Sequence, residues 1–534
     1  MKSAVFRQIL FLGVYFMFWV DEIAEQVIAT YPDAQEFTCA SGISPSGEVH
    51  MGNLREVLTT WFVVKALRER GKNVRFIFSW DNYDRLRKVP ADIDQSFSKY
   101  VGMPLDRIPD PFGCHESWAK HFQQPFVDAL SKLNIDVEHL YQADRYTGGM
   151  YKEKMIEAVQ KRKQIYDVLM SFKTQDATEE EREAFYPVQV YCTECGRDST
   201  KILGDSENGA VLEYECKCGH KHTIDLRTQH HAKLVWKVDW PMRWTMEGVK
   251  FEPGGKDHST EGGSAQVATK MVAEIYGGRA PVYRGYEFVG IKGKSGKMSS
   301  SKGDVMTPEK MLKVYTPEMI LWLYTRFLPE KYFEISLDDE VLRVYHEFDR
   351  MYASYASGEC DDVVKRIMEM ALTARPDYKP CPVSAQTIAA FAPIVNFDLD
   401  LLVDLLNKIG DKCTRDDIEE RFEKISYWLK NYSPDSISTL LEGKNLEFFN
   451  TLNDEEKDWI KVLVDNIKNK DLSTDEMQAL LYEIPKLNGE QDKSRQKRFF
   501  EVVYNLLLGK DKGPRLYLFL AAVDKNKIIE LLDF

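Results

Sequence analysis

The chain has 534 residues, 44% of them hydrophobic. That is enough to bury several cores and argues for roughly three or four domains. A net charge of −13 excludes a generally basic nucleic-acid coat, although an acidic protein still binds a polynucleotide through a local basic surface. Nine cysteines, an odd number with several at metal-type spacings, exclude a disulfide framework and point to a reducing, cytoplasmic setting.

The N-terminus carries Lys2 and Arg7 before the apolar run ILFLGVYFMFWV, the outline of a signal peptide. Asp21-Glu22 stands where a small-residue cleavage site is needed, and the run falls short of the ~20 residues that span a bilayer. No membrane attachment is expected. Residues 1–16 read as an extension, and Asp21 to Ala29 as the first helix.

Phe37 to Ala40 reads as a short strand and Asn53 to Arg70 as an amphipathic helix. That helix sets Leu54, Val57, Leu58, Trp61 and Phe62 on one face and stops at Gly71. Between them a Gly/Ser/Pro-rich turn ends in His50-Met51-Gly52-Asn53. A strand, a glycine-bearing loop and a helix N-terminus together suit a phosphate, because the first helical N–H groups are unpaired and the dipole end is positive. Gly52 lets a nucleotide approach the backbone, and His50 can donate to phosphate oxygens. Taken alone, the stretch is equally an ordinary βα turn.

Asn73 to Ser79 reads as a second buried parallel strand, followed by Asp81 and Asp84. Carboxylates past the carboxyl end of a parallel strand either meet a ligand, here an ammonium, or pair with neighbours such as Arg85 and Arg87. Residues 100–126 are loop-rich and hold Asp110, Cys114, His115 and His121, a mixed set of tetrahedral zinc ligands within twelve positions. The alternative is a buried cysteine with two surface histidines.

Tyr151 to Phe172 reads as one long helix whose Lys161-Arg162-Lys163 run is either a solvated face or a contact to a polynucleotide backbone. Then come Cys192-x2-Cys195, a spacer with Gly204 and Gly209, and Cys216-x-Cys218, flanked by the β-type runs VLEYE and HTIDL. Two close cysteine pairs read as a zinc ribbon, with four filled positions and therefore a structural metal. The short second pair leaves room for His220 or His222 to replace one ligand.

The run VWKVDWPMRW holds Trp236, Trp240 and Trp244, and VKFEPGGKDH ends in Gly255-Lys256-Asp257-His258. Trp236 and Trp244 read as core; Trp240, Asp257 and His258 read as pocket residues, Asp257 suiting a ribose hydroxyl and His258 a substrate carboxylate. Ser264 to Tyr276 is a further helix, and Tyr286 to Ile291 a strand leading into KGKSGKMSSSKGD. That loop is a cationic flap able to close over a triphosphate, or alone a solvated linker. From Met306 the chain turns helical, for example over Asp417 to Tyr432 and Glu455 to Lys470, with a connector between Pro376 and Pro393.

HMGN at 50–53 and KMSSSKG at 297–303 resemble the two signatures of class I aminoacyl-tRNA synthetases. The wider wording SGISPSGEVHMGN, FEPGGKDH and KMSSSKGD is similar to the archaeal-type class I lysyl-tRNA synthetases, from about Met17 to the C-terminus. Two positions depart from the general class I wording: Asn53 replaces the final histidine of the first signature, and Ser300 the second lysine of the other, with Lys302 two places on.

The resemblance implies an α/β protein: a Rossmann-type parallel-sheet catalytic domain with a zinc-binding insertion, then an all-α anticodon-binding domain. The segments expected are 17–98 and 226–305 for the two halves of the core and 99–225 for the insertion, its ribbon at 190–225. Linker helices at 306–380 and the helical domain at 381–534 complete the chain. The implied reaction joins L-lysine to tRNA(Lys) through a lysyl-adenylate, with ATP and Mg2+; a monomer is expected. His50 and Asn53 would stabilise the ATP phosphates, and Lys297 and Lys302 would clamp the β- and γ-phosphates. Gly52, Gly255, Asp257, Met298, Ser299, Ser300 and Ser301 would line the ATP site. Gly42, Ser44, Asp81, Trp240 and His258 would hold the amino acid.

Overall fold

The central strand is β1 (Phe37–Ile43), longer than expected by three residues. Its first five residues are buried, as a continuous apolar run with neighbours on both sides requires. The computed structural model describes residues 17–173, 178–293 and 305–534. The expected N-terminal extension and the site candidates Lys297, Met298, Ser299, Ser300, Ser301 and Lys302 lie outside the described residues.

β1 pairs in parallel with β2 (Val74–Trp80), in register from Phe37 opposite Val74 to Ile43 opposite Trp80. β3 (Glu138–Tyr141) adds outside β2. On the other side lie β4 (Val249–Gly255) and then β5 (Val282–Tyr286), also parallel. The order 5-4-1-2-3 reverses direction between β1 and β4. This is the doubly wound pattern, and its ligand crevice falls outside the carboxyl ends of the strands at the reversal.

Helix α2 (Met51–Glu69) packs on the central strands β1, β2 and β4, and helix α1 (Trp19–Thr30) packs against α2 and the edge strand β5. α2 buries Leu54, Val57, Leu58, Trp61 and Phe62, as the apolar spacing requires, and truncating Leu58 to alanine would cost about 2–5 kcal/mol. It begins at Met51, two residues earlier than read from sequence, because His50 is its N-cap.

Several expectations are corrected. The loop-rich stretch ends at Ser117, whose side chain caps a helix over Trp118–Lys132. The single helix over Tyr151 to Phe172 is two, Lys152–Gln160 and Arg162–Met170, broken at Lys161. The Lys161 ammonium reaches across to the carbonyl of Ile275 at 2.6 Å. The strand read over Tyr286 to Ile291 is split, because Glu287 N–H turns away to the carbonyl of Pro329 at 2.8 Å. Val289–Ile291 pairs instead with Phe333–Ile335. The connector after Pro376 contains a helix over Ala385–Phe391, capped by Ser384.

Two compact units divide the chain. One comprises residues to Leu312 with Pro317–Ile335 and Cys360–Pro376; it holds the sheet and the cysteine ribbon. The other comprises Lys313–Thr316, Ser336–Glu359 and Asp377–Phe534 and is helical. In the helical unit Arg421, on the helix Arg415–Tyr432, forms a two-pronged bond to Asp349 on Glu340–Ala356 at 2.6 and 2.7 Å. Trp428 of the same helix donates to the carbonyl of Leu337 at 2.9 Å. No helix among the described residues is long and apolar enough to cross a membrane.

Candidate functional site

At the β1/β4 reversal lies a cavity of about 750 Å³. Gly42 and Ser44 border it where β1 ends, with His50, Gly52 and Asn53 at the start of α2. Asp81 enters from the end of β2, and Gly255, Asp257 and His258 from the turn after β4. Trp240 comes from helix α3 (Trp236–Glu247). Every described candidate for ATP, amino acid or catalysis therefore faces one space, although these residues span more than 200 positions of sequence.

The signature helix is held from both ends of its first turn. His50 N–H donates to the Asn53 side-chain oxygen at 3.1 Å, the reciprocal arm of a capping box. Asn53 thus has a structural task that a histidine of the general signature would perform differently. Met51 N–H donates to the carbonyl of Met306 at 2.9 Å, and Tyr324 donates to the carbonyl of Met51 at 2.6 Å. The chain that follows the lysine-rich loop is in this way bonded to the first signature.

Asp81 pairs neither with Arg85 nor with Arg87. It accepts from Arg243 of α3 at 2.5 Å, while Arg85 pairs with Asp198. Arg243 also donates to Asp239, which takes the Tyr146 hydroxyl at 2.6 Å. Asp84 pairs with Lys233. Burial pushes the Asp81 carboxyl up and Arg243 opposes it; Asp84 lies below the usual range because Lys233 outweighs burial.

The tryptophans divide differently from the sequence reading. Trp236 is half-buried and borders the cavity, stacked on Trp240 with ring centroids 5.3 Å apart. Trp240 is buried at the cavity wall, 5.7 Å from the His258 ring. Trp244 belongs to the core, as expected, and also reaches the cavity.

Two wall residues escaped the sequence reading. Glu56, one helical turn beyond Gly52, accepts from Gly42 N–H and from the Tyr286 hydroxyl, each at 2.8 Å. Glu252 of β4 accepts from the indole N–H groups of Trp240 at 3.0 Å and Trp244 at 2.5 Å. Burial raises Glu56 to about 8 and Glu252 to about 7. The i, i+4 spacing from Gly52 was the available signal for Glu56; Glu252 gave none beyond its place before Pro253-Gly254-Gly255.

Two further clusters could hold a metal ion. Cys192, Cys195, Cys216 and Cys218 bring all four sulfurs within 4.8 Å of one another. The pairs Cys192–Cys218 and Cys195–Cys216 lie 3.8 and 3.7 Å apart. A tetrahedron with Zn–S bonds of about 2.3 Å has edges of about 3.8 Å, so this donor set fits a zinc ion. His220 instead faces Thr193 at 3.1 Å and replaces no cysteine. The ribbon has three antiparallel strands, Thr200–Ser206, Val211–Cys216 and Lys221–Asp225.

Asp110, Cys114, His115 and His121 likewise converge within 4.8 Å. Burial alone would raise Asp110, but the backbone N–H groups of Phe112, His115 and Cys114, with the Cys114 thiol, hold it at about 2. It is an oxygen donor beside two imidazoles and a thiol, a mixed set that suits zinc. The run Lys161-Arg162-Lys163 is engaged by protein groups: Glu157 at 2.8 Å for Lys161, and Glu183 for the other two.

A cavity at the switch point of a doubly wound sheet, walled by a helix N-terminus and a glycine-rich turn, defines a nucleotide-binding α/β protein. The family model described as tRNA synthetases class I (K) matches residues 17–374. Lysine--tRNA ligases are similar along nearly the whole chain. That of Pyrococcus horikoshii is 34% identical, covering 96% of this chain and 99% of its own. That of Pyrococcus furiosus is 35% identical with the same coverage, and that of Streptomyces coelicolor 34% with 96% and 98%. The chain belongs to the class I tRNA synthetase (K) family.

Proposed function

We propose that this chain joins L-lysine to tRNA(Lys) at the expense of ATP, acting as a monomer in the cytoplasm. The observation that carries the reading is the capped start of α2, His50 to Asn53, opening on the cavity at the β1/β4 switch. In the first step the lysine carboxylate oxygen attacks the α-phosphorus of ATP in line. The bond to the bridging oxygen breaks, and pyrophosphate leaves with the electron pair. In the second step the terminal 2′-hydroxyl of the tRNA attacks the lysyl carbonyl carbon, and AMP leaves.

No protein nucleophile is needed; positioning and electrostatics carry the rate. His50 donates to the phosphates as charge moves toward pyrophosphate, and the Gly52 backbone N–H lies in the first turn of α2, at its positive end. Gly255 and Asp257 take the ribose side, while Gly42, Ser44, Asp81 and His258 orient the amino acid. Lys297 and Lys302, with Met298 and Ser299 to Ser301 between them, cover the β- and γ-phosphates with their Mg2+. Cys192, Cys195, Cys216 and Cys218 would hold a structural Zn2+, which keeps folded a hairpin with little core of its own.

The test is charging of total tRNA by the purified protein with each labelled amino acid in turn. Acid-precipitable label from lysine alone supports the reading; label from a different amino acid, or from none, overturns it.

A further inference from the structure

Three arginines are buried among the described residues, Arg55, Arg243 and Arg421. Arg243 holds Asp81 and Asp239, and Arg421 holds Asp349. Arg55, only 2% exposed, pairs with no carboxylate among the described residues. It stands on α2 one turn beyond Met51, and its guanidinium spans two main-chain carbonyls. Nη2 donates to Leu328 at 2.8 Å and Nη1 to Phe288 at 3.4 Å. The same group covers the Phe333 ring, 5.0 Å from its centroid.

A buried cation without an anion is costly, and burial lowers the Arg55 proton affinity to about 10. Fastening a helix to its neighbours does not require one, since apolar packing does so without that cost. What the guanidinium adds is a planar fork, which holds two carbonyls at a fixed separation. Those carbonyls belong to two chains that run side by side. Glu287 N–H donates to the Pro329 carbonyl at 2.8 Å, and Val289–Ile291 pairs with Phe333–Ile335.

Phe288 and Val289 line the cavity, and the lysine-rich stretch follows them in sequence. The chain beyond that stretch is tied to the same helix one turn earlier, through Met51 N–H and the Met306 carbonyl at 2.9 Å. Tyr324 joins the two ties: its hydroxyl donates to the Met51 carbonyl at 2.6 Å, and its ring meets Phe333 edge-on at 5.2 Å. The first two turns of α2 therefore grip the chain on both sides of the lysine-rich stretch. Arg55 stands behind the cavity wall and makes the grip on the entering side.

We propose that Arg55 is a positioning residue for adenylate formation, fixing the wall at Phe288 and the chain that enters the lysine-rich stretch against the helix that carries His50 and Gly52. This rests on the lysine-activating reading above.

The test uses Arg55→Lys, which keeps the charge and loses the fork, and Arg55→Met, which loses both. ATP–pyrophosphate exchange is measured with ATP and lysine varied separately, and urea unfolding is followed on the same preparations. In both variants kcat is expected to fall about 10–100-fold and the KM for ATP to rise about tenfold, while the KM for lysine stays within about threefold. Parental kcat and ATP KM in Arg55→Lys overturn the proposal, even where the urea midpoint falls, because the fork is then only structural. An equal rise of the ATP and lysine values also overturns it, since it marks a general loosening of the cavity. A parent protein that gives no lysine-dependent exchange overturns the lysine reading itself, and this is seen before any variant is made.

Discussion

Gly42 donates its N–H to Oε1 of Glu56 at 2.8 Å, so the carboxyl end of β1 is bonded to the second turn of α2 across the mouth of the cavity. Gly42 has no space for a side chain: an added Cβ would lie 2.8 Å from the carbonyl oxygen of Ser79 on β2. Gly42→Ala is therefore expected to part β1 from β2 and displace Glu56. The cost in stability is about 1–3 kcal/mol, read from urea unfolding, with a higher lysine KM in the same preparation.

His50→Ala removes the donor proposed for the phosphates and one arm of the capping box, leaving the Asn53 arm in place. Pyrophosphate exchange is expected to fall about 10²–10³-fold, with a stability loss of no more than about 1 kcal/mol. Asn53→Ala opens the capping box and is expected to cost about 1 kcal/mol of stability as well as activity. Melting curves beside rates separate the two roles.

Arg243 lies buried between Asp81 and Asp239. Arg243→Met strands two buried carboxylates and is expected to cost about 3–5 kcal/mol, seen as a lower urea midpoint at unchanged slope.

Metal content separates the two clusters. The protein is expected to carry about two equivalents of zinc by elemental analysis, falling by one in Cys216→Ser and by one in Cys114→Ser. Loss of the ribbon metal should expose 190–225 to proteolysis before the parallel sheet opens. A chain with the full metal content in Cys216→Ser would remove the ribbon from the account.

Glu56 and Glu252 titrate at about 8 and about 7, both raised by burial. Raised carboxyls favour the folded protein while protonated, so their contribution is complete below about pH 4.5 and is lost as pH climbs through 7 to 8. The surrounding titratable groups are Tyr283, Tyr286, Asp81 and Arg243, and of these Arg243 and the two tyrosines keep their protons across this range. The urea midpoint is accordingly expected to fall as pH rises from 6 to 8.5. The double variant Glu56→Gln, Glu252→Gln should flatten this dependence.

Much of the crevice was legible because its parts obey local rules. A strand, a Gly/Ser/Pro turn and a periodic helix read as βα from spacing alone, and His50, Gly52 and Asn53 fell where the helix begins. What was not legible depended on distant groups. Residues 151–172 are helix formers throughout, and the break falls at Lys161, whose ammonium bonds the Ile275 carbonyl more than a hundred residues on. The run from Tyr286 to Ile291 is β-type throughout, and only the pairing of Glu287 with Pro329 divides it. Asp81 sits beside Arg85 in sequence yet bonds Arg243, brought to it by α3. Glu56 drew no reading because nothing local shows that Tyr286 and Gly42 donate to it.

The most direct test is ATP–pyrophosphate exchange by the purified protein with each amino acid in turn, with and without tRNA. Exchange that depends on lysine and is lost in His50→Ala is the expected result. Exchange with a different amino acid only, or none under either condition, would contradict the account.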